Sequence, residues 1–173
     1  MRAIDQKICA WGRTIAAQMG RMRIASRLPV PLLLGAGAIG VLTVMFPIMI
    51  FAITAYRPER DPELTQMLND AGWLIIPAFP TVIAQFDAIA TGAFLENAQP
   101  PVFPRWIGYF NLWIALLFVP GGFAYFFRTG PFAWNGLLAF WLAAVAFFAW
   151  LIVMTIWALK AIANQSESAS AGA

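Results

Sequence analysis

Residues 28–56 read LPVPLLLGAGAIGVLTVMFPIMIFAITAY, and this stretch contains no charged side chain. Three further apolar stretches follow, over residues 71–95, 106–127 and 129–159, and Asp87 is the only charged residue inside any of the four. A bilayer hydrocarbon core about 30 Å thick needs roughly 20 apolar residues in a helix that rises 1.5 Å per residue. Each stretch meets that length, so the sequence predicts an all-α fold, a polytopic membrane helix bundle of four transmembrane helices.

The composition points to lipid as the solvent of this chain. Apolar residues make up 61% of the sequence and charged residues 11%, which leaves too little polar surface to cover such spans in water. The chain has no histidine and one cysteine, Cys9, so it lacks the usual ligands of haem, copper and zinc. We therefore expect a protein that is not an enzyme, with no catalytic residue, no metal site, no cofactor and no nucleic-acid partner.

The first 27 residues have the pattern of an amphipathic helix. Apolar residues recur every three or four positions, with arginines on the opposite face; the apolar set is Ile4, Ile8, Trp11, Ile15, Met19 and Met22. Such a helix can lie in the headgroup plane with its basic face toward anionic lipid. The alternative, a helix packed on the bundle, stays open. Residues 28–160 then form the four-span bundle, and the small, polar residues 161–173 are expected to be disordered.

The basic residues predict the orientation of the spans. With a cytoplasmic N-terminus, four spans leave eight of the eleven Lys and Arg residues on the cytoplasmic side and three, Arg57, Arg60 and Arg128, on the other. Cytoplasmic loops of membrane proteins carry an excess of Lys and Arg. This asymmetry predicts a multi-pass membrane protein with both termini in the cytoplasm.

The second apolar stretch is predicted to be an irregular span. Asp61 and Pro62 form an N-cap and first-turn pair, so the stretch is expected to begin as a short interfacial helix that turns into the membrane near Trp73. Pro77 and Pro80 each remove a backbone hydrogen bond, which predicts a kink or a short unwound segment.

Three polar residues within the apolar stretches are the candidate intramembrane site: Gln85, Asp87 and Asn111. A carboxylate at the bilayer centre costs a few kcal/mol, so we expect Asp87 to face the bundle interior beside the proline break. A functional polar site and a structural or interfacial carboxylate are the two interpretations. Aromatic residues at the ends of the stretches are expected to act as interfacial anchors; they are Trp73, Trp106, Tyr109, Trp113 and Trp134.

Three segments carry a family resemblance: residues 57–73 (RPERDPELTQMLNDAGW), 101–113 (PVFPRWIGYFNLW) and 129–136 (TGPFAWNG). They resemble a family of uncharacterised bacterial multi-span integral membrane proteins, and the resemblance extends over about residues 18–162. It implies a membrane protein but no particular activity. Members of that family carry a further hydrophobic hairpin before this point, so the resemblance implies a chain that lacks that hairpin.

The favoured function is that of a non-enzymatic accessory or interaction subunit of the inner membrane, because the spans contain few polar residues and many Trp and Phe residues. One alternative is a small transporter or channel-like oligomer in which Gln85, Asp87 and Asn111 line a path. A second alternative is a lipid-modifying membrane enzyme that uses outer-loop carboxylates; these are Asp61, Glu63 and Asp70. The expected partners are the lipid bilayer, anionic lipid through residues 1–27, and either further copies of the chain or another membrane protein.

Overall fold

The computed structural model describes residues 13–22, 28–57, 59–75, 80–97 and 101–171. The regular elements in these ranges are helical, which confirms the all-α prediction. They are α1 (residues 13–20), α2 (Pro29–Tyr56), α3 (Pro62–Ile75), α4 (Pro80–Leu95), α5 (Arg105–Phe118), a 3-10 helix (Val119–Tyr125), a π-helix (Leu137–Trp141) and α6 (Leu142–Ala171).

Three of the described helical segments are long and apolar enough to cross a membrane: Pro29–Tyr56, Arg105–Tyr125 and Leu137–Asn164. The second predicted span is divided into α3 and α4. Helix α4 is apolar but has only 16 residues, which gives it a length of about 24 Å. The predicted kink at Pro77 falls on residues 76–79, outside the described residues.

Helix α3 begins where the sequence predicts. The Glu63 backbone N–H donates to Asp61 Oδ1 at 2.8 Å, and the Thr65 hydroxyl donates to the Asp61 carbonyl oxygen at 3.0 Å. Pro62 occupies the first turn, where its missing N–H costs nothing. Asp61 is therefore the N-cap of α3, as predicted.

The segment α3–α4 packs antiparallel along α2. A methyl group at Gly72 would come within 2.7 Å of Phe51 Cε1, and one at Gly37 within 2.8 Å of Gln85 Nε2. These two contacts are 14 residues apart in α2 (51 − 37) and 13 residues apart in α3–α4 (85 − 72). Helix α2 and the segment α3–α4 therefore use nearly the same number of residues to cover the same distance along the bundle.

The remaining helices continue this antiparallel order, with α4 between α2 and α5 and with α5 beside α6. Gly108 of α5 lies against the Phe94 ring of α4. The Trp106 and Trp157 ring centroids, on α5 and α6, are 5.6 Å apart. The starts of α2 and α5 and the end of α4 therefore lie at one end of the bundle, called here the Pro29 end. The opposite end is called the Tyr56 end.

Helix α1 packs its apolar face onto the bundle. Ile15, Met19 and Met22 are buried and belong to the same hydrophobic cluster as Leu33 and Phe103. Both of these partners lie near the Pro29 end. The described part of the amphipathic helix therefore packs on the bundle, which is one of the two alternatives. Residues 4–12, which carry the rest of its apolar face, lie outside the described residues.

The structure differs from the prediction in the tail. Residues 161–173 were expected to be disordered, but α6 continues to Ala171. The segment contains alanines, a glutamine and a glutamate, all good helix formers, and it extends a helix already stabilised by packing, which removes the cost of nucleation. The small polar residues make this segment less hydrophobic, but they do not prevent it from forming a helix.

Two glycines shape the turn before the last helix. Gly130 has a φ of 89°, a conformation that other residues rarely adopt. A methyl group at Gly136 would overlap the Pro131 carbonyl and lie 2.8 Å from the Gly130 oxygen. The Pro131 carbonyl accepts hydrogen bonds from Leu138 and Ala139, which start the π-helix. Close backbone approach at Gly136 therefore positions the last helix.

Candidate functional site

Asn111, the first of the three candidate polar residues, is fully buried between α5 and α6. Its Oδ1 accepts a 2.8 Å hydrogen bond from Trp150 Nε1. Its Nδ2 donates to the Ile107 carbonyl oxygen at 2.8 Å and contacts Met154 Sδ at 3.7 Å. The amide thus has partners on both its oxygen and its nitrogen, as a buried polar group requires.

Aromatic rings enclose this polar contact. The Phe86 ring from α4 lies 4.9 Å from Trp150 and 5.3 Å from Phe118, both in edge-to-face geometry. Phe147 stacks on Trp150 at 5.9 Å. In an apolar surrounding a broken hydrogen bond has no water to replace it. The Asn111–Trp150 bond therefore fixes the register of α5 against α6.

Gln85 faces α2. A methyl group at Gly37 would lie 2.8 Å from its Nε2, so a larger residue there would require the Gln85 amide to shift. One helical turn earlier, the Thr81 hydroxyl oxygen is buried and makes no hydrogen bond to the described residues. Gln85 and Thr81 share one side of α4, because residues four apart lie on the same face of a helix.

Asp87 lies on a different side of α4. Each residue advances about 100°, so Asp87 is about 200° around the helix from Gln85. Phe86, between them, points to α5 and α6. Asp87 is half-buried, and Thr91, one turn later on its side of the helix, is exposed. The register therefore places Asp87 at the outer edge of α4.

Asp87 has no partner within the described part of the chain: neither a hydrogen bond nor an ion pair there involves its carboxylate. Its depth follows from the contact of Gln85 with Gly37, which places Asp87 level with about Gly35. That level is about 9 Å from the start of α2 at Pro29 and about 32 Å from its end at Tyr56.

The three candidate residues therefore lie in three directions: Gln85 toward α2, Asn111 toward α6 and Asp87 at the edge of the exposed side of α4. They also lie at different depths. Gly108 is level with Phe94, so Asn111 is level with about residue 91 of α4, about 6 Å from Asp87 along the axis. Their action as one site remains a prediction, and the geometry gives each a separate environment.

Glu96 is a buried polar residue that the sequence analysis did not single out. Its side chain is 7% exposed. Oε1 accepts the Val102 backbone N–H at 2.9 Å and Oε2 accepts that of Phe103 at 3.3 Å. An acid just after a helix C-terminus is disfavoured by the helix dipole, and this was the available signal that Glu96 needs compensating donors. It closes the connection between α4 and α5.

The predicted anchors divide into two groups. At the Tyr56 end, Trp73 lies 5.4 Å from Phe51 and 4.7 Å from Trp134, measured between ring centroids. These rings join α2, α3 and the turn before the π-helix. On α5 the anchors face outward; Trp106, Tyr109 and Trp113 are 45%, 61% and 64% exposed. Lys160 Nζ lies 4.6 Å from the Trp157 ring, the neighbour of Trp106, a cation–π contact.

No group of three or more His, Cys, Asp or Glu side chains within the described ranges is arranged to hold a metal ion. Apart from the Thr81 hydroxyl, the buried polar side chains described above bond to the protein itself. The chemistry that this arrangement supports is helix pairing.

Comparison of the chain with models of protein families, with curated proteins and with solved structures gave no match. The resemblance based on residues 57–73, 101–113 and 129–136 therefore stays a prediction.

Proposed function

We propose that this chain is a non-enzymatic, multi-pass protein of a bacterial inner membrane and that it works as an accessory or interaction subunit of a larger membrane assembly. The observation that supports the proposal most is the use of its buried polar groups. Asn111 pairs α5 with α6, Glu96 closes a loop, and Gln18 accepts a 2.9 Å hydrogen bond from Arg21 at the end of α1. Each of these groups bonds to the protein itself, which is the expected use in a protein that binds rather than reacts.

The outer surface of α2 also supports an interaction role. This helix lies at the side of the bundle; it packs against α3 and α4, and its Leu33 belongs to the cluster that includes α1. Of the 18 consecutive residues of α2 that are most apolar, only 11% are buried within the chain. Its large exposed side chains must contact lipid or other membrane helices; among them are Leu42, Phe46, Met49 and Ile53.

Four membrane passes are part of this proposal. Helix α4 alone is short, but α3 and α4 together follow α2 in antiparallel order from Phe51 to Gly37. An extended pairing of this kind fits one broken pass better than a helix that stays at the surface. Four passes place both termini on one side, and the distribution of basic residues favours the cytoplasm.

Contact with anionic lipid through the N-terminal segment is compatible with the packed α1. Its apolar residues Ile15 and Met19 are buried in the bundle, whereas Arg13 and Arg21 are exposed. We propose that these exposed arginines contact lipid phosphates at the cytoplasmic surface, where anionic lipids attract basic side chains.

The proposal is tested by sizing the protein in its native membrane. A tagged copy expressed at its natural level is extracted into native-lipid nanodiscs, and its mass and composition are measured. We expect a larger complex that contains a second membrane protein in constant stoichiometry, which a tagged, unrelated four-span protein at the same level does not retain. A particle that contains only this chain would contradict the proposed function.

A further inference from the structure

We infer that Asp87 is the contact point for a transmembrane helix of a different protein, one that presents a lysine or arginine at the depth of Asp87. This inference rests on the proposed function and specifies the partner. Its starting point is the half-buried Asp87 at the edge of the exposed side of α4, without a hydrogen bond or ion pair in the described part of the chain.

A carboxylate in this position needs a partner. Asp87 is level with Gly35, several residues inside the apolar helix α2, and its own apolar stretch continues to Leu95. Ionisable side chains in membrane spans are costly and pair with one another or face a polar cavity. Gln85 and Asn111 do not share the face of Asp87, so neither of these side chains supplies it with a polar partner.

The surroundings of Asp87 suit a helix. Its side of α4 presents the exposed Thr91 and Leu95, and the small, half-buried Ala84 lies close by. Small side chains allow two membrane helices to approach closely, and a threonine hydroxyl can bond across the contact. A partner helix can therefore approach near enough for its cation to meet the carboxylate.

The apolar spans of a second copy of this chain do not supply the cation. None of the four apolar stretches contains Lys or Arg. Copies in one membrane have the same orientation, so each residue stays at its own depth. Arg105 is level with about residue 97, because Gly108 is level with Phe94; it lies about 15 Å along the axis from Asp87, farther than an arginine side chain extends. Charge complementarity thus points to a heterologous partner.

The test is site-specific cross-linking in intact membranes. A benzophenone amino acid replaces Thr91, on the side of Asp87, and in a matched control it replaces Ile152, an exposed residue of α6. We expect an adduct with one other membrane protein from Thr91 and not from Ile152. Asp87→Asn, which removes the charge at constant shape, should lower the adduct yield by at least about tenfold, whereas Asp87→Glu should preserve it.

Charge exchange makes the result specific. Asp87→Lys should abolish the adduct, and replacement of the basic residue of the captured helix by Asp should restore it. An adduct with a second copy of this chain, an undiminished adduct in Asp87→Asn, or failure of the exchange would each overturn the inference. If the nanodisc particle keeps its second protein in Asp87→Asn, the proposed function stands and only this inference fails. If the wild-type particle contains this chain alone, both fail.

Discussion

Trp150 Nε1 donates a 2.8 Å hydrogen bond to Asn111 Oδ1, and the two residues are 3% and 0% exposed. The bond joins α5 to α6 across residues that are 39 positions apart in the sequence. Its neighbours are the rings of Phe86 and Phe147, so little water can take the place of either partner. This pair offers the most direct test of the packing.

Asn111→Ala removes the acceptor of that bond and should destabilise the protein by about 1–2 kcal/mol, the upper range for polar contacts between membrane helices. Unfolding in mixed micelles by increasing the fraction of sodium dodecyl sulfate measures the change. A double-mutant cycle with Trp150→Phe should give a coupling free energy close to the single-mutant loss. Strictly additive effects would show that the bond contributes nothing.

Gly136→Ala should destabilise the protein by about 3 kcal/mol or more, because the added methyl group overlaps backbone atoms that cannot rotate away. The same unfolding titration measures it. Gly35→Ala is the matched control, since nothing lies within 4 Å of a methyl group there, and it should leave stability unchanged or raise it by at most about 1 kcal/mol. Equal effects at the two positions would contradict the geometry of the turn.

Glu96→Ala leaves the Val102 and Phe103 amides without their carboxylate acceptors and should cost about 1–3 kcal/mol. Hydrogen exchange identifies the cause, because these two amides should exchange faster while Asn111 and its neighbours on α5 stay protected. Glu59→Ala, at an exposed acid of the other loop, is the control. Unchanged exchange at Val102 would refute the role of Glu96.

The four-pass topology predicts that Gln66 and Asn97, both exposed, lie on opposite sides of the membrane. Cys9→Ser removes the single cysteine, so that a cysteine placed at either position is the only target of a membrane-impermeant maleimide. In spheroplasts, the cysteine at position 66 should react and the cysteine at position 97 should react only after lysis. Reaction of both from outside would show that α3–α4 enters and leaves on one side.

The helical elements and the start of α3 could be predicted from the sequence because they depend on local properties. The length and apolarity of residues 28–56 predict a membrane-length helix, and Asp61 followed by Pro62 predicts a helix N-terminus. Both features involve residues within a few positions of one another. The tail was predicted less well, because the same alanines and polar residues suit a disordered segment and the extension of an anchored helix such as α6.

The sequence alone determined that Asp87 is the single charged residue within the apolar stretches. It also determined that Gln85 and Asp87 lie on different sides of a continuous helix, because each residue turns the helix by about 100°. Only the tertiary structure decided which neighbour each side meets: Gln85 meets Gly37, Asn111 meets Trp150, and Asp87 meets no described partner. The order in which helices pack depends on many weak contacts between distant segments, and no local pattern in the chain encodes that order.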